Sequence, residues 1–287
     1  MNAQIDKAKE LGLCFGVRRA VRMLKQGVGK YGEVETLGPL AHNKQLVQGL
    51  AEIGIRAVEN LDQVQGKILA ITAHGTSPQV LSEIEARRIH IIDTTCPIVR
   101  KAQRTAKELA EAGYQVIIFG EAEHQEVKGL LGWAGDKGIA EIDVKEIDRS
   151  SDLSPRLGII SQTTQGQSDF IEFTKQLMTT FSPKVKDLRI VNTLCRTTQR
   201  RREAAIRLAR KSDLMLVVGG SNSANTRRLA EACSPIVETH LLESTEGVDR
   251  SWLIGKRHIG IAAGASTPDE AVEELIDKLN SLAKLVA

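Results

Sequence analysis

Short apolar runs rich in Ile and Val alternate with longer amphipathic stretches along the whole chain. "KILAITAHG", "YQVIIFG", "LGIISQTT", "DLMLVVGG" and "HIGIAAGAS" are continuous apolar runs that end in small or polar residues, the pattern of strands buried on both faces. "NKQLVQGLAEIG", "KAQRTAKELAEAG", "SDFIEFTKQLMTTF" and "DEAVEELIDKLNSLAKLV" place their apolar residues at helical spacing. Alternation of this kind predicts βα units with parallel sheets covered by helices, an α/β fold.

A longer period is laid over this rhythm. Cys14, Cys96 and Cys195 are each followed by a basic helical stretch: "FGVRRAVRMLKQ", "PIVRKAQRTAKELAEAG" and "RTTQRRREAAIRLARK". After each stretch comes a strand that opens into a polar loop: "TLGPLAHN", "VIIFGEAEHQE" and "LVVGGSNSAN". A second strand then opens into a second polar loop: "ILAITAHGTSP", "GIISQTTQG" and "IGIAAGASTP". "IHIIDTTC" and "LRIVNTLC" carry the first two units into the next cysteine. The third unit runs out of chain after its last helix, and residues 1–13, which lead into Cys14 in the same way, can supply its missing strand. The expected organisation is three similar α/β units, 14–95, 96–193 and 194–287, the last completed by 1–13.

Composition narrows the function classes. Of 287 residues, 41% are hydrophobic and 26% charged, as in an ordinary globular protein, and the net charge of +3 suits an anionic small substrate or an acidic partner. Aromatic residues make up only 3%, which leaves few platforms for single-stranded nucleic acid, and no nucleic-acid partner is expected. No apolar run approaches the roughly 18 residues of a membrane span. "MNAQIDKAKELGLCFGV" has no apolar leader core, so a cytoplasmic location is expected. In that reducing compartment a metal or catalytic use of cysteine outweighs a disulfide framework.

Functional groups of parallel α/β units collect beyond the carboxyl ends of the strands, where Cys14, Cys96 and Cys195 all fall. A helix N-terminus stabilises a thiolate. Three such thiolates aimed at one point can make an open zinc site or hold an iron–sulfur cluster, and the local C-x₂-C spacing that would separate the two is absent. Cys233, in "RRLAEACSP", lies outside the repeated position and reads as core. The polar loops add His42, His74, His124, Glu126, Thr163, Thr164, Ser223, Asn225 and Ser266. At helix starts these form an anion site suited to phosphate, although Ser, Thr and Asn also serve there as plain N-caps. Glu126, two residues from His124, suits a proton donor, since an anionic ligand and a reduced cluster would raise its pKa; it also suits a surface residue complementing the helix dipole. His90, His240 and His258 lie outside the loops and read as structural.

The ordered set "CFGVRRAV", "AHN", "AHGTS", "DTTCP", "HQEVKG", "SQTT", "LCRTTQRR", "SNSAN" and "AGASTPD" resembles, through essentially the whole chain, the motifs of the 4-hydroxy-3-methylbut-2-enyl diphosphate reductases, the LytB family. The resemblance implies a trefoil of three α/β domains with parallel-type sheets around a central [4Fe-4S] cluster. It implies a reductive dehydroxylation with two electrons and two protons, giving isopentenyl and dimethylallyl diphosphates at the end of the methylerythritol phosphate isoprenoid pathway. By motif position Cys14, Cys96 and Cys195 would hold the cluster. His42, His74, Ser223, Asn225 and Ser266 would grip the diphosphate, with Thr164 in the same loop set and His124 nearby. Thr163 would contact the substrate hydroxyl and Glu126 would relay protons. The family commonly has serine where Ala224 stands and proline where Gln125 stands. The basic stretch 196–211, which includes Arg201 and Arg202, reads as a solvated face or as a docking face for an acidic ferredoxin or flavodoxin. A cluster-dependent dehydratase or a zinc hydrolase of another phosphate ester is the competing reading.

Overall fold

The structure, a computed structural model, describes residues 3–41, 43–147 and 153–286. Twelve strands and nine α-helices alternate among these residues. In chain order they are β1 (Gln4–Lys7), α1 (Phe15–Tyr31), β2 (Val34–Leu37), α2 (Lys44–Glu52), β3 (Ile55–Val58), β4 (Ile68–Ile71), α3 (Pro78–Ala86), β5 (His90–Asp93), α4 (Pro97–Glu111), β6 (Gln115–Phe119), α5 (Gln125–Ala134), β7 (Ile139–Glu141), β8 (Arg156–Ser161), α6 (Gln167–Phe181), β9 (Asp187–Ile190), α7 (Arg196–Ala209), β10 (Leu214–Val218), α8 (Ala224–Cys233), β11 (Thr239–Leu242), β12 (His258–Ala263) and α9 (Asp269–Val286).

The strands form three four-stranded sheets in which every pairing is parallel. Their orders are β3-β2-β4-β5, β7-β6-β8-β9 and β11-β10-β12-β1, one pattern used three times. In the third sheet the outer position beside β12 is taken by β1, with Gln4 opposite His258 and Lys7 opposite Ile261. The chain divides into two compact units. One comprises Met1–Arg18, Leu40–Glu52 and Arg196–Ala287 and holds the third sheet; the other comprises Arg19–Pro39 and Ile53–Cys195 and holds the first two.

The middle strands are apolar on both sides because both faces are covered. In the second sheet Val116, Ile118 and Ile160 pack with Ala102, Ala106, Leu109, Val127 and Leu130 of α4 and α5. Ile117, Phe119, Leu157 and Ile159 face the other way, onto Phe170, Phe173 and Leu177 of α6. The third sheet repeats this: Met215, Val217 and Ala262 meet α7 and α8, while Leu216, Val218, Ile261 and Ala263 meet α9. Alternate residues of a strand point to opposite faces, so two buried faces need an unbroken apolar run.

In this strand order the chain leaves the first central strand toward one edge and returns to the other side. Connections reverse between β2 and β4, between β6 and β8, and between β10 and β12, which are the switch points where open α/β sheets bind ligands. The loops that carry His74, His124, Glu126, Thr163, Thr164, Ser223, Asn225 and Ser266 all leave those strands. The cysteines follow the strand beyond: Cys96 follows β5, Cys195 follows β9 and Cys14 follows β1.

Candidate functional site

Each of the three cysteines is tied down in the same way. The Cys14 amide donates to the Ala265 carbonyl (2.8 Å), that of Cys96 to Ala73 (3.0 Å) and that of Cys195 to Thr163 (2.8 Å). In every case the acceptor lies in the loop that leaves the adjacent central strand. Each cysteine also stands at a helix start. Cys96 is the N-cap of α4 with Pro97 in the first turn, where a missing N–H costs little. The Cys14 carbonyl accepts the Arg18 amide at 2.9 Å, and its Sγ accepts the Val17 amide at 3.5 Å.

The approaches to two of these cysteines share a turn. Asp93 Oδ1 accepts the Thr95 amide (2.9 Å) in "DTTC", and Asn192 Oδ1 accepts the Leu194 amide (3.0 Å) in "NTLC". The threonine after each acid or amide locks onto the neighbouring strand: Thr94 Oγ1 donates to Ile71 O, and Thr193 Oγ1 donates to Ser161 O, both at 2.5 Å. The approach to Cys14 instead turns at Gly12, whose φ of +71° and close contact with the Asp269 carboxylate leave no room for a side chain.

All four cysteines are thiols, but they differ in setting. Cys14, Cys96 and Cys195 are half-buried, while Cys233 is fully buried and its thiol is pushed up to about 11 by burial. Among the described residues no three His, Cys, Asp or Glu side chains stand together as ligands of one metal ion. What fits an iron–sulfur cluster is the donor chemistry: three undisulfided thiols at equivalent helix starts, each on a pinned backbone.

The loops of the first two sheets assemble a polar constellation. Glu126, in the first turn of α5, is only 2% exposed, so it is not the surface carboxylate that the dipole argument allowed. Its Oε1 accepts the Thr163 amide (2.6 Å) and its Oε2 accepts the Thr163 hydroxyl (2.9 Å). Thr163 in turn accepts the Cys195 amide, so one residue connects the buried carboxyl to a cysteine. His124 caps α5, its Nδ1 accepting the Glu126 amide at 3.2 Å, which leaves Nε2 as the N–H donor of the neutral ring. His74 meets His124 edge to face at 5.6 Å between centroids, and its Nδ1 is 3.4 Å from Thr72 Oγ1. Thr164 is held by Gln162, whose Nε2 donates to its Oγ1 at 3.2 Å.

In the other unit, Ser223 is an N-cap in fact: its Oγ accepts the Thr226 amide of α8 at 3.4 Å. Asn225 Nδ2 is buried with no partner among the described residues, an unanswered donor of the kind an anion would satisfy. Ser266 is buried in the loop before α9. His42 lies outside the described residues. His90, His240 and His258 engage Tyr31, Glu238 with Trp252, and Asp6 respectively, which are structural partners.

Comparison with known proteins decides the family. The LytB protein family model matches residues 5–280. The chain belongs to the LytB family. A 4-hydroxy-3-methylbut-2-enyl diphosphate reductase of Dehalococcoides mccartyi strain CBDB1 is 42% identical over 279 residues, 97% of this chain and 98% of that one. The enzyme of that name from Pelobacter propionicus is 38% identical over 278 residues, 96% and 98% of the two chains. Among solved structures, that of an (E)-4-hydroxy-3-methyl-but-2-enyl diphosphate reductase, the terminal enzyme of the non-mevalonate pathway, is 33% identical with a TM-score of 0.71, over 97% of this chain and 99% of the other. That of the Plasmodium falciparum E-1-hydroxy-2-methyl-but-2-enyl-4-diphosphate reductase gives 25% and 0.88, over 96% and 88%.

In this LytB chain one expectation is corrected. Arg201 does not lie on a solvated or docking face. It is 2% exposed, on the inward stripe of α7 with Ala204, Ala205 and Leu208, and Arg202 is half-buried. The exposed basic residues of the segment are Arg196, Arg200, Arg207 and Arg210. Glu243 was not picked out from sequence. At the end of β11 it accepts the Ser221 amide (2.9 Å), the Ser221 hydroxyl and Lys44 Nζ (3.0 Å). It thereby fixes the loop that leads to Ser223, and an acid closing the apolar run "HLLE" was its sequence signal. The Ser221 hydroxyl and amide, with Lys44, hold its carboxyl at about 2.

Two outcomes follow for the folded, metal-free chain. Iodoacetamide at pH 8 modifies Cys14, Cys96 and Cys195, and Cys233 reacts at least about tenfold more slowly, as peptide mass spectrometry would report. Glu243→Gln lowers the denaturation midpoint at pH 7. Because the folded carboxyl sits below its unfolded value, the stabilisation is present above about pH 4.5 and is lost as pH falls toward 2. The difference between variant and native protein therefore shrinks over that window.

Proposed function

We propose that this chain is a 4-hydroxy-3-methylbut-2-enyl diphosphate reductase: the substrate gives up its allylic hydroxyl as water, consumes two electrons and two protons, and yields isopentenyl and dimethylallyl diphosphates. The observation that carries the assignment of its machinery is the buried link from Glu126 through Thr163 to Cys195. We assign Cys14, Cys96 and Cys195 as ligands of a [4Fe-4S] cluster and the three sheets to domains 14–95, 96–193 and 194–287 with 1–13. When bound, the cluster supplies a Lewis-acidic iron open to the hydroxyl and a path for electrons.

The remaining work falls to the protein. Loss of the hydroxyl as water needs a proton at that oxygen. Thr163 Oγ1 contacts it, and the Glu126 carboxyl, one hydrogen bond further back, holds the proton away from bulk water. His42, His74, Thr164, Ser223, Asn225 and Ser266 bind the diphosphate, with His124 beside it. Asn225 Nδ2 and the N-terminus of α8 offer donors to its oxygens. Holding the diphosphate gives the binding energy that orients the hydroxyl. Ala224 contributes no hydroxyl, so its neighbours carry that grip. The protein works in the cytoplasm, and among the described residues no helix is long and apolar enough to cross a membrane. Its electron donor is an acidic ferredoxin or flavodoxin that docks on the exposed arginines of α7.

Glu126→Gln keeps both Thr163 contacts available while removing the titratable proton. It should lower kcat about 10²- to 10⁴-fold with KM changed only a few-fold, and unchanged kcat would reject the proton role. Substrate turnover with no net electron consumption would reject reduction itself. Arg200→Ser with Arg207→Ser should slow turnover with the protein donor and leave turnover with a small chemical reductant intact. Equal slowing with both reductants would reject the docking face.

A further inference from the structure

Two arginines that enter none of the assignments above make matching contacts. Arg201 lies six residues after Cys195 on α7. Its Nη1 donates to Ala263 O (3.0 Å), and its Nη2 donates to Gly12 O (2.9 Å) and Leu11 O (3.5 Å). Arg19 lies five residues after Cys14 on α1, a helix packed on the first sheet through Gly27 against Val34 and Ile92. Its Nη1 donates to Thr94 O and Thr95 O, both at 3.3 Å. The acceptors are the residues that lead into Cys14 in one case and into Cys96 in the other.

These carbonyls lie just beyond the ends of β1 and β5, where the ladder no longer supplies donors, and a buried carbonyl left unanswered is costly. A guanidinium is a rigid fork of five donors and can bridge carbonyls that diverge from one another. On α7 it does so across two segments, tying the approach to Cys14 to the end of β12. Lysine, with one nitrogen, cannot span both.

We propose that Arg201 and Arg19 are positioning residues that set the backbone from which Cys14 and Cys96 present their sulfurs, each arginine serving one cysteine. The positioning stands on this geometry alone; its consequence for a cluster rests on the ligand assignment made above.

Hydrogen exchange read by mass spectrometry on the full-length chain tests it, native against Arg201→Gln and Arg19→Gln. Arg201→Gln should speed exchange in the peptide covering residues 8–14 about tenfold, equivalent to about 1.4 kcal/mol of local stability, and leave residues 91–96 at the native rate. Arg19→Gln should do the reverse. Arg201→Lys keeps the charge but loses the fork, so residues 8–14 should stay faster than native. No acceleration, equal acceleration of both segments in each variant, or full restoration by lysine would overturn the proposal. If Arg201→Gln does not fold, the half-buried Arg19 decides. Iron uptake by anaerobically reconstituted native protein separates the two readings: the exchange pattern without any iron uptake would overturn the ligand assignment and leave the positioning standing.

Discussion

The structure turns on one hydrogen bond used three times, from a cysteine amide to a carbonyl in the loop beside it. It joins the two kinds of functional segment that each sheet produces. One is the loop from a central strand, which carries polar groups. The other is the end of the next strand, which carries a thiol. Parallel strands send both segments out at the same end of the sheet, and the hydrogen bond fixes the distance between them. In the second sheet the acceptor is Thr163, so the backbone that positions Cys195 belongs to the residue whose side chain engages Glu126.

Burial gives this arrangement its chemical character. Glu126 sits in a helix first turn, a place where carboxylates usually face water, yet here it is enclosed and hydrogen-bonded through both oxygens. A carboxyl in that setting exchanges protons only along its hydrogen bonds. Gln125, which stands where the family commonly has proline, buries Oε1 without a partner among the described residues, beside Gly38. The helix that carries Glu126 therefore starts next to an imperfectly answered polar group rather than a rigid ring.

Much of this was legible in the chain. The unbroken apolar runs announced two-sided sheets, and the repeated order of cysteine, helix, strand and loop announced one topology used three times. The shared "D/N-T-x-C" entry announced similar turns before Cys96 and Cys195. What sequence could not separate was charge in water from charge in the core. Arg201 belongs to a run of arginines, and only the inward stripe it shares with Ala204, Ala205 and Leu208 removes it from the surface. Nor could it show that Ser223 caps its own helix while Asn225 holds an open donor, because both residue types suit both tasks. Glu243 escaped notice because its partners lie far from it along the chain.

The place of β1 in the third sheet has a consequence for how the protein is made. Its partner β12 is separated from it by nearly the whole chain, so the first strand to leave the ribosome is among the last to find its neighbour. The first two sheets are built from contiguous stretches and can assemble while synthesis continues. The third must hold an unpaired strand in waiting, and the approach to Cys14 stays unanchored with it. The first cysteine to be synthesised is thus the last to be set in place, so the newborn chain has no complete set of thiols to offer until it is finished.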